Sequence, residues 1–287
     1  SITKTVEVFP QPTAEFNFVN ACDNEEVSFE STAQPNIGTI SDYQWDVEMD
    51  GVNDYSVADF GHTYAQDGLY NVEHIAVNSY GCSDTIVKQI SVYALPEAVF
   101  SVDAVCEDTT TTFTNASLVN PVDNDVISNY DWTFGDGNTS VLENPNHDYS
   151  VENIYTAQLV VTTNYGCKDS IAHPVSVFPQ PNVDFTATNA CLTFENVFTD
   201  ETTVSNNYTT NALAQWEWNF DDGATSTDQH TNHLYSGSGI YYATLIVETS
   251  NGCVDSITKP VQVYDQPTAE FDFVNACDNE DVQLEST

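Results

Sequence analysis

Apolar and polar residues alternate through most of the chain. Ala14-Phe16-Phe18, Val27-Phe29, Tyr70-Val72-His74-Ala76 and Leu159-Val161-Thr163 each place every second residue on one face. A period of two is that of a half-buried strand, whose side chains point to the two faces in turn. Clusters of Asn, Asp, Gly and Pro separate these runs and mark turns. No stretch keeps a 3.6-residue apolar period long enough to be a helix. The pattern predicts an all-β fold with about seven short strands in each 85 residues, as a two-sheet sandwich requires.

The same pattern recurs. Residues 256–287 repeat residues 1–32 at an offset of 255, with 24 of the 32 pairs identical, which marks a recent internal duplication. A shorter period lies inside it. Gly-Cys recurs at Cys82, Cys167 and Cys253, and a second cysteine at Cys22, Cys106, Cys191 and Cys277, in steps of 84 to 86 residues. Three domains of ordinary size fill the longer period. The boundaries read as the last strand of a preceding domain at 1–9, domains at 10–93, 94–178 and 179–264, and the start of a fourth at 265–287. On this reading the chain is an excerpt of a longer protein. Pro10 and Pro12, Pro96, Pro179 and Pro181, and Pro267 lie in the joints. Proline fixes φ and donates to no ladder, so these short links should be extended and stiff.

Each domain carries a central block: Tyr43-Gln44-Trp45-Asp46-Val47, Tyr130-Asp131-Trp132-Thr133-Phe134-Gly135-Asp136-Gly137, and Trp216-Glu217-Trp218-Asn219-Phe220-Asp221-Asp222-Gly223. His-x-Tyr follows at His62/Tyr64, His147/Tyr149 and His233/Tyr235, then a long apolar strand that ends before Gly-Cys. Trp-x-Phe-Gly-Asp-Gly, His-x-Tyr and the Val-rich last strand resemble the PKD (polycystic kidney disease) domain over nearly the whole chain, with Asp221 replacing a glycine in the third repeat. The terminal Gly-Cys-x-Asp-Ser/Thr-Ile pattern is similar to arrays in large Bacteroidota surface proteins, including gliding-type adhesins. The resemblance implies tandem Ig-like β-sandwiches, arranged head to tail as a rod on a bacterial cell surface.

Charge narrows the partners. The chain has 44 acidic residues against 4 basic ones, a formal net charge of −40. Phosphate binding needs clustered Lys and Arg, so nucleic acid and anionic lipid are excluded as general partners. No apolar run reaches the about 18 residues of a membrane span, so this segment should not insert directly. With 40% hydrophobic residues and clear alternation, disorder does not explain the charge.

Cysteines at fixed positions in a surface-type β protein read as disulfides, and without any CxxC pair a zinc site is disfavoured. Two pairings stay open. Sequence order suggests one bridge per domain, such as Cys22 with Cys82. Ig-like topology instead puts the two cysteines of one domain at opposite poles, a strand length of about 17–20 Å apart. Bridged Cα atoms stay within about 7 Å. A head-to-tail array would therefore pair Cys22 with Cys167 and Cys106 with Cys253, closing loops worth about 5 kcal/mol each at most.

Asp46, Glu48, Asp50 and Asp54 around Gly51 form the best candidate for calcium, which takes several oxygens at such spacing; the competing reading is a solvated acidic turn. Thr85, Ser170 and Ser256 each sit in an Asp-Ser/Thr-Ile motif that resembles a Bacteroidota O-glycosylation signal, against a strand-start preference copied by duplication. The recurring His-x-Tyr has no partner nucleophile, and no hydrolase, zincin or phosphate-loop motif occurs. The leading expectation is a non-enzymatic structural or adhesive region forming a semi-rigid extracellular stalk or filament. Its partners would be neighbouring repeats, other copies, or a surface polysaccharide or protein, and it would require no cofactor beyond possible calcium. The alternatives are an accessory binding region of a large secreted hydrolase and a lectin array using Tyr55 or Tyr208.

Overall fold

The computed structural model describes residues 2–120, 124–205, 211–278 and 281–286. It is all β, and the chain divides into two compact units: residues 1–103, 111–147 and 155–175 in one, and 104–110, 148–154 and 176–287 in the other. The first repeat lies wholly in the first unit and the third wholly in the second, while the middle repeat contributes strands to each.

The first repeat has seven strands: β1 (Phe16–Val19), β2 (Ala21–Cys22), β3 (Glu26–Ser31), β4 (Ile40–Asp46), β5 (Asp59–Thr63), β6 (Gly68–Asn78) and β7 (Ser83–Tyr93). One sheet has the order β1-β3-β5 and the other β2-β7-β6-β4. Alternate residues of both sheets meet between them. Phe16, Phe29, Trp45, Val47, Tyr64, Val72, Ile90 and Val92 form the core. Trp45 is fully buried, and its indole N–H reaches Val57 O at 2.9 Å, so the largest core side chain keeps its polar atom satisfied.

β2 is only two residues long and runs parallel to the end of β7, pairing Ala21 with Val92 and Cys22 with Tyr93. This short strand holds the first cysteine of the repeat at the pole where the chain leaves. The other cysteine, Cys82, precedes β7 at its start.

The third repeat follows the same plan. Phe185–Ala187, Asn196–Asp200 and Thr231–His233 make one sheet, and Ala190–Cys191, Val254–Tyr264, Gly239–Thr249, Leu213–Asn219 and Thr225–Ser226 the other. Trp218 takes the place of Trp45 and donates to Asp228 O at 2.8 Å.

In the middle repeat, the first unit holds Ile127–Thr133 paired with residues 158–163, over Phe100, Phe113 and Trp132 packed with centroids 5.0–6.2 Å apart. Trp132 donates to Leu142 O at 2.9 Å. In the second unit, Val177 and Phe178 pair in parallel with Val105 and Cys106.

Phe271–Val274 and Gln283–Ser286 pair in the register of β1 and β3 displaced by 255, Phe271 with Ser286 as Phe16 with Ser31. Residues 2–9 form no strand; Phe9 stacks on Tyr80 at 4.2 Å. Among the described residues no helix is long and apolar enough to cross a membrane.

Candidate functional site

The features that set this chain apart are gathered where one repeat meets the next. Cys22 is bonded to Cys167 with Cα atoms 5.7 Å apart, and Cys106 to Cys253 at 5.6 Å. The first bond lies within the first unit and the second within the other. Topology dictates the choice. Cys22 is paired with Tyr93, while Cys82 lies eleven residues back along β7, about 36 Å at strand rise. A bridge inside one repeat is out of reach.

The first joint is closed by packing around the disulfide. Cys22, Tyr93 and Cys167 form a buried cluster, and the Tyr93 ring lies on Tyr165 at 3.8 Å with the planes 5° apart. Asn20 Nδ2 donates to Tyr93 Oη at 3.1 Å. Ala94 and Pro96 in the link are buried as well.

The second joint keeps the bond with different neighbours. Asn251 stands where Tyr165 does in the first. Gln180 N donates to Glu107 Oε1 at 3.0 Å, and Ser205 Oγ to Glu152 Oε1 at 2.6 Å.

Three further positioning contacts leave little trace in the sequence. The Tyr93–Tyr165 stack was signalled only by an aromatic recurring at Phe9, Tyr93, Phe178 and Tyr264. The carboxylates of Asp84 and Asp169, from the Asp-Ser/Thr-Ile motif, accept the Ala14 and Ala98 N–H groups at 2.9 and 2.8 Å, fixing where the first strand of each repeat starts. Lys88 pairs with Glu15 and donates to Phe16 O at 2.6 Å, and Lys259 does the same with Asp184 and Phe185 O. The ammonium groups hold the Glu15 and Asp184 carboxyls below their ordinary pKa. Two of the four basic residues of the chain are thus used at one structural position.

Asp46 accepts from Asp50 N at 3.2 Å and Gly51 N at 2.7 Å, Asp54 accepts from Val47 N at 2.9 Å, and Asp50 from Val52 N at 2.8 Å, while Glu48 is exposed. Three of the four candidate calcium ligands therefore cap amides of their own turn. A hollow of about 100 Å³ beside Trp45, Asp46 and Asn53 is smaller than a drug-sized ligand needs. Among the described residues, no group of three or more His, Cys, Asp or Glu side chains is placed to share an ion. Thr85, Ser170 and Ser256 are all exposed.

The His-x-Tyr histidines complete a corner. His147 bonds Asp136 Oδ2 at 2.7 Å and stacks on Phe134 at 4.2 Å, and His233 repeats this with Asp222 and Phe220 at the same distances. Burial raises the Asp136 and Asp222 carboxyls, but hydrogen bonds from His147 and Asn138, and from His233 and Ala224 N, outweigh it and hold both low. Tyr55 is not the open aromatic a lectin array would need. It stacks on Phe60 at 4.0 Å, and its hydroxyl bonds His62 at 3.0 Å. Tyr208 lies outside the described residues.

Two-sheet sandwiches with a buried Trp, an Asp-Gly turn and a His-x-Tyr corner, three in tandem, define a class of Ig-like repeat protein. The PKD domain family model matches residues 10–92, 93–177 and 179–264, and the chain belongs to that family. Among solved structures it is similar to the PKD1 domain of Vibrio cholerae metalloprotease PrtV, with 22% identity over 30% of this chain and 98% of that one and a TM-score of 0.27. It is also similar to the PKD1 domain of Vibrio anguillarum Epp, with 20% identity over 30% and 96% and a TM-score of 0.28. The three N-terminal domains of the bacteriophage RB49 Hoc capsid protein match 90% of this chain and 99% of theirs at 10% identity, with a TM-score of 0.44. PKD domains and disulfides are each typical of extracellular proteins, and domains of this kind are typically non-catalytic.

Proposed function

We propose that this chain is the repeat region of a large secreted or surface-anchored bacterial protein, serving as a semi-rigid stalk or filament whose stiffness is built at its joints. The observation that carries the reading is the placement of the disulfides. Each joins one repeat to the next instead of closing a single repeat, so each resists bending and stretching at a joint. Buried prolines and the ring stack at the first joint act in the same direction. The net charge of −40 keeps such a surface soluble and discourages lateral sticking. The exposed Thr85, Ser170 and Ser256 suit O-glycosylation on a surface array.

Small-angle X-ray scattering of the oxidised and reduced chain tests the stalk. An extended, stiff oxidised particle that becomes flexible on reduction supports it. A compact particle, or one unchanged by reduction, contradicts it and returns weight to an accessory ligand-binding region.

A further inference from the structure

Cys82 and Cys191 take part in no disulfide in the structure. Each is the counterpart of cysteines that do: Cys82 of Cys167 and Cys253, Cys191 of Cys22 and Cys106. Their surroundings match those of a formed joint. In the second joint, Phe178 is the ladder partner of Cys106, its carbonyl accepts Glu107 N at 2.8 Å, and the same oxygen lies 4.0 Å from Cys253 Sγ. One strand-end aromatic thus borders both cysteines.

The same contacts occur in two halves elsewhere in the chain. Tyr264 is the ladder partner of Cys191, and its carbonyl accepts Leu192 N at 2.7 Å. Phe9, which is Tyr264 moved back by one 255-residue unit, has its carbonyl 3.8 Å from Cys82 Sγ and its ring on Tyr80 at 4.2 Å. Tyr264 itself is 52% exposed, whereas Tyr93 in the finished first joint is 9% exposed. Spacing agrees as well. Moving Cys82 forward by one unit places it 146 residues after Cys191, between the 145 and 147 residues of the two bonds present.

We infer that Cys191 and the Cys82 position of a following 255-residue unit are the two halves of a third joint disulfide, closed over a stack of Tyr264 on the following Tyr80. The partner surface is another PKD repeat of the same pattern. Bond formation joins the two sulfurs and releases two protons and two electrons. A disulfide oxidant, such as oxidised glutathione or a dithiol-disulfide exchange protein, takes these up and is reduced to two thiols.

The inference rests on the joint chemistry of the proposed function. It is tested with a chain in which residues 1–287 run directly into a second copy of residues 33–264. The protein is oxidised in glutathione buffer, alkylated under denaturing conditions, and digested without reduction for mass spectrometry. The 287-residue chain is treated in parallel.

In the 287-residue chain, Cys191 and Cys82 should both be alkylated. In the extended chain, a peptide joining Cys191 to the second Cys82 should appear, and alkylation of Cys191 should fall to a minor fraction. A Cys191→Ser change should restore alkylation of the second Cys82. Finding Cys191 still alkylated, or joined to another cysteine, while the Cys22–Cys167 and Cys106–Cys253 peptides are present, overturns the inference alone. Absence of all three peptides overturns it together with the stapled-joint reading.

Discussion

His74 stands in the first repeat where the other two carry Leu159 and Leu245 at the same place in the strand. It is fully buried, stacks on Trp45 at 3.9 Å, and bonds Ser31 Oγ at 2.9 Å. Burial pushes its pKa below the ordinary histidine value, only partly countered by Gln44 O and the Glu15 charge. The folded state therefore binds fewer protons than the unfolded one. Stability is lost as pH falls below about 6.5 and keeps falling until the lower folded value is reached. His74→Leu should narrow the gap in calorimetric Tm between pH 7.5 and pH 5; an unchanged gap would contradict the argument.

Asp136 and Asp222 titrate with the same slope lower on the scale. Their stabilising effect is present above the ordinary carboxylate pKa and lost as pH falls through their depressed values. Asp222→Ala should cost about 1.5–3 kcal/mol by denaturant unfolding, since a hydrogen bond to a charged group is lost.

Individual residues were partly legible in the sequence. Trp45, Trp132 and Trp218 stood out by their recurring block, and the structure shows all three buried. The aspartate that replaces a glycine did not explain itself. Gly135 has φ 86°, and a Cβ there would come within 2.7 Å of Thr156 O. Asp221 holds φ 67° and accepts the Tyr242 N–H at 3.0 Å, a compensation visible only in three dimensions.

Among elements, the long strands were readable because eleven residues display a period of two. The two-residue strands that carry Cys22, Cys106 and Cys191 were not, since two residues display no period. The register shifts at Ile40/Asp42, Ile127/Asn129 and Leu213/Gln215 recur in all three repeats and left no signal in the hydrophobic pattern.

Side-chain contact between the first and last strands of a repeat, which lie in opposite sheets, does leave a signal, in correlated changes. Glu15 with Lys88 and Asp184 with Lys259 become Val99 and His173 in the middle repeat, where His173 meets the Phe100 ring at 4.8 Å. A double-mutant cycle on Glu15→Val and Lys88→His should give a coupling of about 0.2–1 kcal/mol, the range of a solvent-screened pair. A coupling near zero would show that the lysine acts through Phe16 alone.

For the whole molecule, repetition made the domain plan legible, while cysteine partners stayed open because pairing depends on which pole each cysteine occupies. The parallel pairing of Cys22 with Tyr93 resolves it. Replacing Cys22 and Cys167 together by Ser should lower stability by at most about 5 kcal/mol, as closure of a loop of this length predicts, and should leave the fold of each repeat intact by circular dichroism.

The most direct test of stapled joints is single-molecule stretching of the unfolded chain from its two ends. Reduced, all 287 residues should extend at about 3.5 Å each, roughly 1,000 Å in total. Oxidised, the taut path crosses from Cys22 to Cys167, runs back to Cys106 and crosses to Cys253, so the contour should stay below half of that length. Equal lengths with and without reductant would contradict the account.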